Sequence, residues 1–225
     1  MIGKLSSLRK IWIDGNNLTK LPKSIGNLSN LEELSCGNNQ IKRIPESIGK
    51  LSNLNYLSLS ENFIPNLPNS IGDLNRLKQL WLSWNKLEHL PNSIVNLVNL
   101  KKLNLAVNRI RFLPLNIGNL RDLDYLSLAF NFLEELPESF YNLSSLIDCN
   151  LSNNKKLKLS NKLIQLKSLK NLVVDNSHRE RNSSLILSLL QDGVHIGRTI
   201  TKDYFIQKFK EEGKNERYIS QIESY

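Results

Sequence analysis

The chain has 225 residues, 40% of them hydrophobic, and a formal net charge of +9. No run of 18 apolar residues is present, no secretory signal is visible, and two cysteines cannot build a disulfide scaffold; a membrane-spanning helix and a disulfide-stapled miniprotein are excluded. Leucine and asparagine together make up about a third of the chain, a bias that points to an internal repeat.

Written in rows of 23, the chain aligns without a gap from Leu8 to Ser145, with rows starting at Leu8, Leu31, Leu54, Leu77, Leu100 and Leu123. A seventh row starts at Leu146 and an eighth at Leu169. Apolar residues recur at positions 1, 4, 6, 11, 14, 18 and 21 of the row. Residues 1–7 fit positions 17 to 23 of a preceding row, so the chain starts mid-repeat. The expectation is a truncated or late start, with any signal peptide lying upstream; a longer upstream reading frame would bear this out.

Within each row, positions 3 to 7 alternate polar and apolar, the pattern of a short strand with one buried face. In the third row Leu57 and Leu59 point one way and Tyr56, Ser58 and Ser60 the other. No row can bury its own leucines, but stacked rows bury them against each other, with adjacent strands about 4.8 Å apart in a parallel sheet. Asn occupies position 9 in seven rows, as Asn16, Asn39, Asn62, Asn85, Asn108, Asn131 and Asn154. A buried amide both donates and accepts, so this column is expected to satisfy the backbone where each strand turns inward. Pro at position 15 (Pro22, Pro45, Pro68, Pro91, Pro114, Pro137) forbids a long helix on the return limb and predicts an extended or short 3₁₀ segment.

With the pattern LxxLxLxxNxLxxLPxxIxxLxx, residues 8 to about 176 resemble the leucine-rich repeat family, and the 23-residue period with its Pro resembles the class called typical. The resemblance implies an α/β solenoid: a right-handed curved superhelix with the parallel sheet on its concave face. It also implies a non-enzymatic partner-binding scaffold, of the kind found among bacterial surface or secreted proteins involved in host interaction and among intracellular signalling adaptors. Secretion or surface display follows if the start is truncated, a cytoplasmic location otherwise.

The seventh row departs from the pattern, with Lys156 at position 11 and Ser160 in place of Pro; the eighth keeps its strand but has Ser177 at the Asn position. Residues 177–225 read as a C-terminal cap of two or three helices. Asn182-Ser183-Ser184 would start a buried helix through Leu190, Gly193 would end it, and Val194-His195-Ile196 reads as a last strand. Thr199–Glu212 reads as a further helix, with Ile219, Ile222 and Tyr225 continuing at helical spacing.

Catalytic and metal chemistry find no support. Cys36 and Cys149 occupy core positions five rows apart, too far to bond, and are expected to be free, buried thiols. His89, His178 and His195 lack metal-ligand spacing, and no phosphate-binding glycine motif occurs. No cofactor, metal or enzymatic activity is expected. Residues 155–225 hold 14 Lys or Arg against 8 Asp or Glu, but no aromatic residue is interleaved with Lys155, Lys156, Lys158, Lys162, Lys167 and Lys170, which disfavours nucleic acid as partner.

Function is expected at the variable positions. All three tryptophans fall outside the core register, and exposed aromatics are the usual anchors of interfaces. The candidate partner-binding residues are Trp12, Tyr56, Trp81, Trp84, Lys102, Arg109, Tyr125 and Phe130. A protein or peptide ligand is the leading expectation; a glycan stacked on the aromatic rings and weak self-association are the alternatives.

Overall fold

The computed structural model describes residues 2–197 and, beyond them, Ile206, Gln207, Ser220 and Ile222. Among the described residues, nine three-residue strands form one parallel sheet in sequence order: β1 (Lys10–Trp12), β2 (Glu33–Ser35), β3 (Tyr56–Ser58), β4 (Gln79–Trp81), β5 (Lys102–Asn104), β6 (Tyr125–Ser127), β7 (Asp148–Asn150), β8 (Asn171–Val173) and β9 (His195–Gly197). Each row contributes one strand, and like positions pair with like: Leu34 with Leu57, Leu57 with Leu80, Leu80 with Leu103. The strands cover positions 3 to 5 rather than 3 to 7. Hydrogen bonding between rows nevertheless continues past them, as in Cys36 N–H to Ser58 O (2.9 Å) and Asn38 N–H to Ser60 O (2.9 Å).

The leucine column packs as the period requires. Leu34, Leu57, Leu80 and Leu103 are fully buried, and so are Leu59, Leu82 and Leu105 two residues on. The return limbs are 3₁₀ turns after the prolines, for example Lys23–Asn27, Glu46–Lys50 and Asn69–Asp73, each preceded by a Pro with extended backbone. Proline lacks the N–H that a helix would need there, and its fixed φ suits the residue before a turn. Glycine at position 19 lets these limbs touch: a Cβ on Gly72 would lie 2.3 Å from Ser93 O. The fourth row has Val95 at that position, and the limb facing it shortens to Ile117–Asn119, with Leu115 79% exposed.

The asparagine column forms a ladder. Asn62 accepts the N–H of Ile41 in the preceding row (2.9 Å) and donates to Cys36 O (3.0 Å) in that row and to Leu59 O (3.0 Å) in its own. Asn39, Asn85, Asn108, Asn131 and Asn154 repeat this arrangement and are buried. Asn16 is exposed and bonds only within its own row, to Ile13 O and Asp14 O.

The seventh row keeps its place better than its sequence suggests. Leu157 fills the core slot assigned to Lys156, which stays exposed, and Ser160 accepts a hydrogen bond from Lys162 N–H to start the 3₁₀ turn Asn161–Gln165. The eighth row turns into a helix that the sequence pattern does not disclose, α1 (Asn176–Arg181), followed by α2 (Ser183–Gln191), whose Leu185, Ile186 and Leu189 are buried. The ladder ends in different chemistry here. Asp175 accepts the N–H of Asn153 (2.9 Å), and buried His178 places Nε2 2.8 Å from Leu157 O. Burial pushes the Asp175 carboxyl up, but the hydrogen bonds from His178 and from the Asn153 backbone outweigh it and hold the group below its ordinary value. The expected helix over Thr199–Glu212 lies outside the described residues except for Ile206 and Gln207, which are helical. No helix among the described residues is long and apolar enough to cross a membrane.

Candidate functional site

Positions 3 and 5 of each strand project from the sheet opposite the leucines, because side chains alternate between faces. At one end stands Trp12, 68% exposed, with Lys10 Nζ 5.9 Å from its ring and paired to Glu33 at 2.7 Å. Trp12, Asp14, Glu33, Tyr56 and Gln79 line a hollow of about 470 Å³ on this face. In the middle, Trp81 on β4 and Tyr125 on β6 approach across β5 with ring centroids 6.0 Å apart at 36°. Trp81 Nε1 donates to Gln79 Oε1 at 3.3 Å, which fixes the indole. Lys102 pairs in register with both Gln79 and Tyr125 and is exposed. Burial raises the Tyr125 hydroxyl above its ordinary value; a hydrogen bond with Ser127 opposes the rise and Asp148 adds to it.

Residues 1–88 match the family model described as a leucine-rich repeat region. The solenoid is similar to the crystal structure of a TDR receptor, with a TM-score of 0.69 and 28% identity over 77% of this chain and 33% of the receptor chain. The fold is that of a leucine-rich repeat solenoid. It is also similar to the PEPR1–AtPEP1 crystal structure (TM-score 0.65, 28% identity, 77% of this chain, 29% of that one). An internalin from Listeria monocytogenes shares the fold at 22% identity (TM-score 0.69), covering 89% of this chain and 56% of the internalin. The chain thus spans between about a third and about half of these structures. A comparison with curated proteins finds no match.

The repeat places Trp84 and Phe130 away from the sheet face, at position 8, where each row turns inward. Backbone φ is positive there in seven rows: Gly15, Asn38, Glu61, Trp84, Val107, Phe130 and Asn153 lie between +49° and +68°. Glycine and asparagine tolerate this conformation; other side chains pay roughly 1–2 kcal/mol, and a β-branched residue such as Val107 is a marked outlier. The apolar side chains at this column are not free. Val107, Ala129 and Phe130 form a buried cluster with Ile222, which is fully buried, and Trp84, Ala106 and Ile206 pack against it. Phe130 is 3% exposed, so the expectation that it faces a partner is corrected: aliphatic side chains from the C-terminal segment cover it. The row pattern assigns position 8 to the solvent side and carries no information on a distant segment returning to it. The available signal was three consecutive apolar residues at a position whose backbone favours Gly or Asn.

Arg109 belongs to neither group. It lines a cleft of about 640 Å³ with Glu88, His89, Arg111, Phe112 and Phe132, beyond the turn. A smaller hollow of about 280 Å³ continues from Arg111 and Phe132 to Lys155 and Lys156. Two guanidinium groups beside exposed phenyl rings suit an anionic group with apolar flanks. Sequence reasoning named only Arg109 here, although Phe112 and Phe132 also stand outside the apolar register. Cys36 and Cys149 are free and buried, and burial pushes each thiol up to about 12, with Asp14 and Asp148 respectively adding to the rise. Among the described residues no group of three His, Cys, Asp or Glu side chains could hold a metal ion.

Proposed function

We propose that this leucine-rich repeat solenoid is a non-enzymatic scaffold that holds a protein or peptide across the concave face of its sheet. The observation that carries the reading is the arrangement of Trp12, Tyr56, Trp81 and Tyr125 on one preformed face, with Lys102 between the central pair. Aromatic side chains of this kind supply large contact area at low conformational cost, and charged groups beside them set orientation. The sheet is fixed by its ladder before any ligand arrives, so binding orders few residues and little of the contact energy is spent on folding. The likeness to a receptor and to the PEPR1–AtPEP1 structure supports the same reading.

The test is capture of partners by the wild-type chain and by W12A/W81A, with folding checked by circular dichroism and urea unfolding. Both indoles lie outside the core, so the double variant should keep its stability within about 1 kcal/mol and lose capture at least tenfold. Undiminished capture by a folded W12A/W81A chain refutes the concave-face reading. Capture lost only on changing Arg109 and Arg111 would move the site to the cleft beyond the turn.

A further inference from the structure

The cleft beyond the turn is made by departures from the repeat. In the first six rows position 13 holds Lys20, Arg43, Asn66, His89 and Glu135, but Phe112 in the fifth. Position 10 is polar or cationic in five of seven rows, with Phe63 and Phe132 as the aromatic exceptions. Both positions lie on the solvent side of the row, so the core asks for no phenyl ring at either. Phe112 is 55% exposed and Phe132 39%, and both line the cleft of about 640 Å³ with Arg109 and Arg111. Exposed rings gathered on one patch mark an interaction site.

The charges of this cleft are not used up within the chain. Elsewhere basic side chains are matched across neighbouring rows: Arg9 with Glu32, Lys10 with Glu33, Lys162 with Glu138. Among the described residues no carboxylate lies within ion-pair distance of Arg109 or Arg111, although Glu88 lines the same cleft. The adjoining hollow adds Lys155 and Lys156 against Glu134, and only Lys156 approaches that carboxylate, at 4.0 Å. Cations are therefore in surplus beside the rings. Position 10 also brings the two chemistries within reach of one ligand. Lys86 Nζ lies 4.9 Å from the Phe63 ring, and Arg109 and Phe132 occupy the same position in adjacent rows.

We propose that this cleft is a second binding site, for a protein segment in which a carboxylate side chain neighbours an aromatic or long aliphatic one. The carboxylate takes the forked N–H donors of Arg109 and Arg111, and the apolar side chain lies on Phe112 and Phe132. The volume is that of a cleft able to bury a small ligand or a few side chains. Glu88 and Glu134 oppose a nucleic-acid strand, whose phosphates repeat at every nucleotide. A peptide can set neutral or basic residues opposite them. The site shares no residue with the concave-face reading and does not rest on it.

The test pans a phage library of short random peptides on the full chain. The selected sequence is then synthesised with a fluorescein label and titrated by anisotropy. Selection should enrich Asp or Glu within two residues of Phe, Trp, Tyr or Leu. Affinity should fall at least tenfold in R109Q/R111Q, the loss expected for removing charge-assisted pairs, and at least threefold in F112S. K42Q/R43Q removes the same charge from exposed positions of the second row and should bind as wild type. All these side chains are exposed, so each variant should keep the wild-type circular dichroism spectrum. Selected peptides without an acidic residue overturn the proposal, and so do equal losses in R109Q/R111Q and K42Q/R43Q. Peptides that lose affinity in W12A/W81A but not in R109Q/R111Q support the concave face and overturn the cleft; the converse result supports the cleft alone. Displacement of the selected peptide by oligothymidylate at lower concentration than by unlabelled peptide would assign the cleft to nucleic acid and overturn the proposal as well.

Discussion

Single residues carry the connection between neighbouring rows. Asn108 accepts the N–H of Leu87 at 3.0 Å and donates to Leu82 O and Leu105 O at 2.9 and 3.0 Å. Both carbonyls have a second asparagine partner, from Asn85 and Asn131 respectively, whereas the Leu87 N–H depends on Asn108. Asn108→Ala should therefore destabilise by about 2–3 kcal/mol, the cost of an unsatisfied buried donor with weakened acceptors beside it. Asn108→Asp should be no better, because an ionised carboxylate cannot donate. Urea unfolding measures both, and a loss below about 0.5 kcal/mol would show the ladder to be dispensable. Asn16, exposed at the first rung, is the internal control and should tolerate Ala with little loss. Cysteine makes a second prediction at this scale. With both thiols buried and pushed up to about 12, neither should react with a maleimide at pH 8 until the chain is unfolded in denaturant. Rapid labelling of the native chain at either site would contradict the burial described for it.

At the scale of elements, the strands, the turns after proline and the asparagine column were legible because each repeats, and a repeat lets one row be read against the others. What was not legible lies where the period fails. The Leu157 substitution for Lys156 is a one-residue shift in which a nearby leucine takes a slot that the core must fill. Helix α1 replaces a turn because Ser177 cannot act as Asn does, and Asp175 and His178 take over the terminal hydrogen bonds. Arg111, Phe112 and Phe132 were overlooked as a cleft because its walls come from different rows, a relation that no single row displays. The acid sensitivity of α1 follows from Asp175. Its carboxyl is held below the ordinary value in the folded chain, so its contribution is complete above the unfolded value of about 4 and fades as pH falls through the lower folded value. Amide exchange of residues 176–191 should accelerate below about pH 4 relative to that of the central rows, after correction for intrinsic rates. Asp175→Asn should lose that acid-dependent difference; if it keeps it, another group is responsible.

The whole molecule behaves as a line rather than a ball. Strand pairing joins each row only to the rows on either side, so stability is close to a sum of row and interface contributions, and protection should vary along the axis. The first row is less covered: Trp12 and Asn16 are exposed, while the third and fourth rows lie between two full neighbours and bury Asn62 and Asn85. Native-state hydrogen exchange should show opening free energies rising from the first row to the third by about 1–3 kcal/mol and levelling through the sixth. A flat profile would mean that the rows unfold as one unit.

The ladder described above joins each of rows two to seven to its predecessor through the same asparagine amide, and this sets how such a chain can change length. Excising any 23 consecutive residues from the interior brings an amide opposite a correctly placed carbonyl and the leucine column stays in phase. Excising 22 or 24 breaks a rung and turns an apolar side chain outward. The reach of the binding surface is accordingly quantised: it grows or shrinks by one strand width at a time, and nothing in between is structurally accessible.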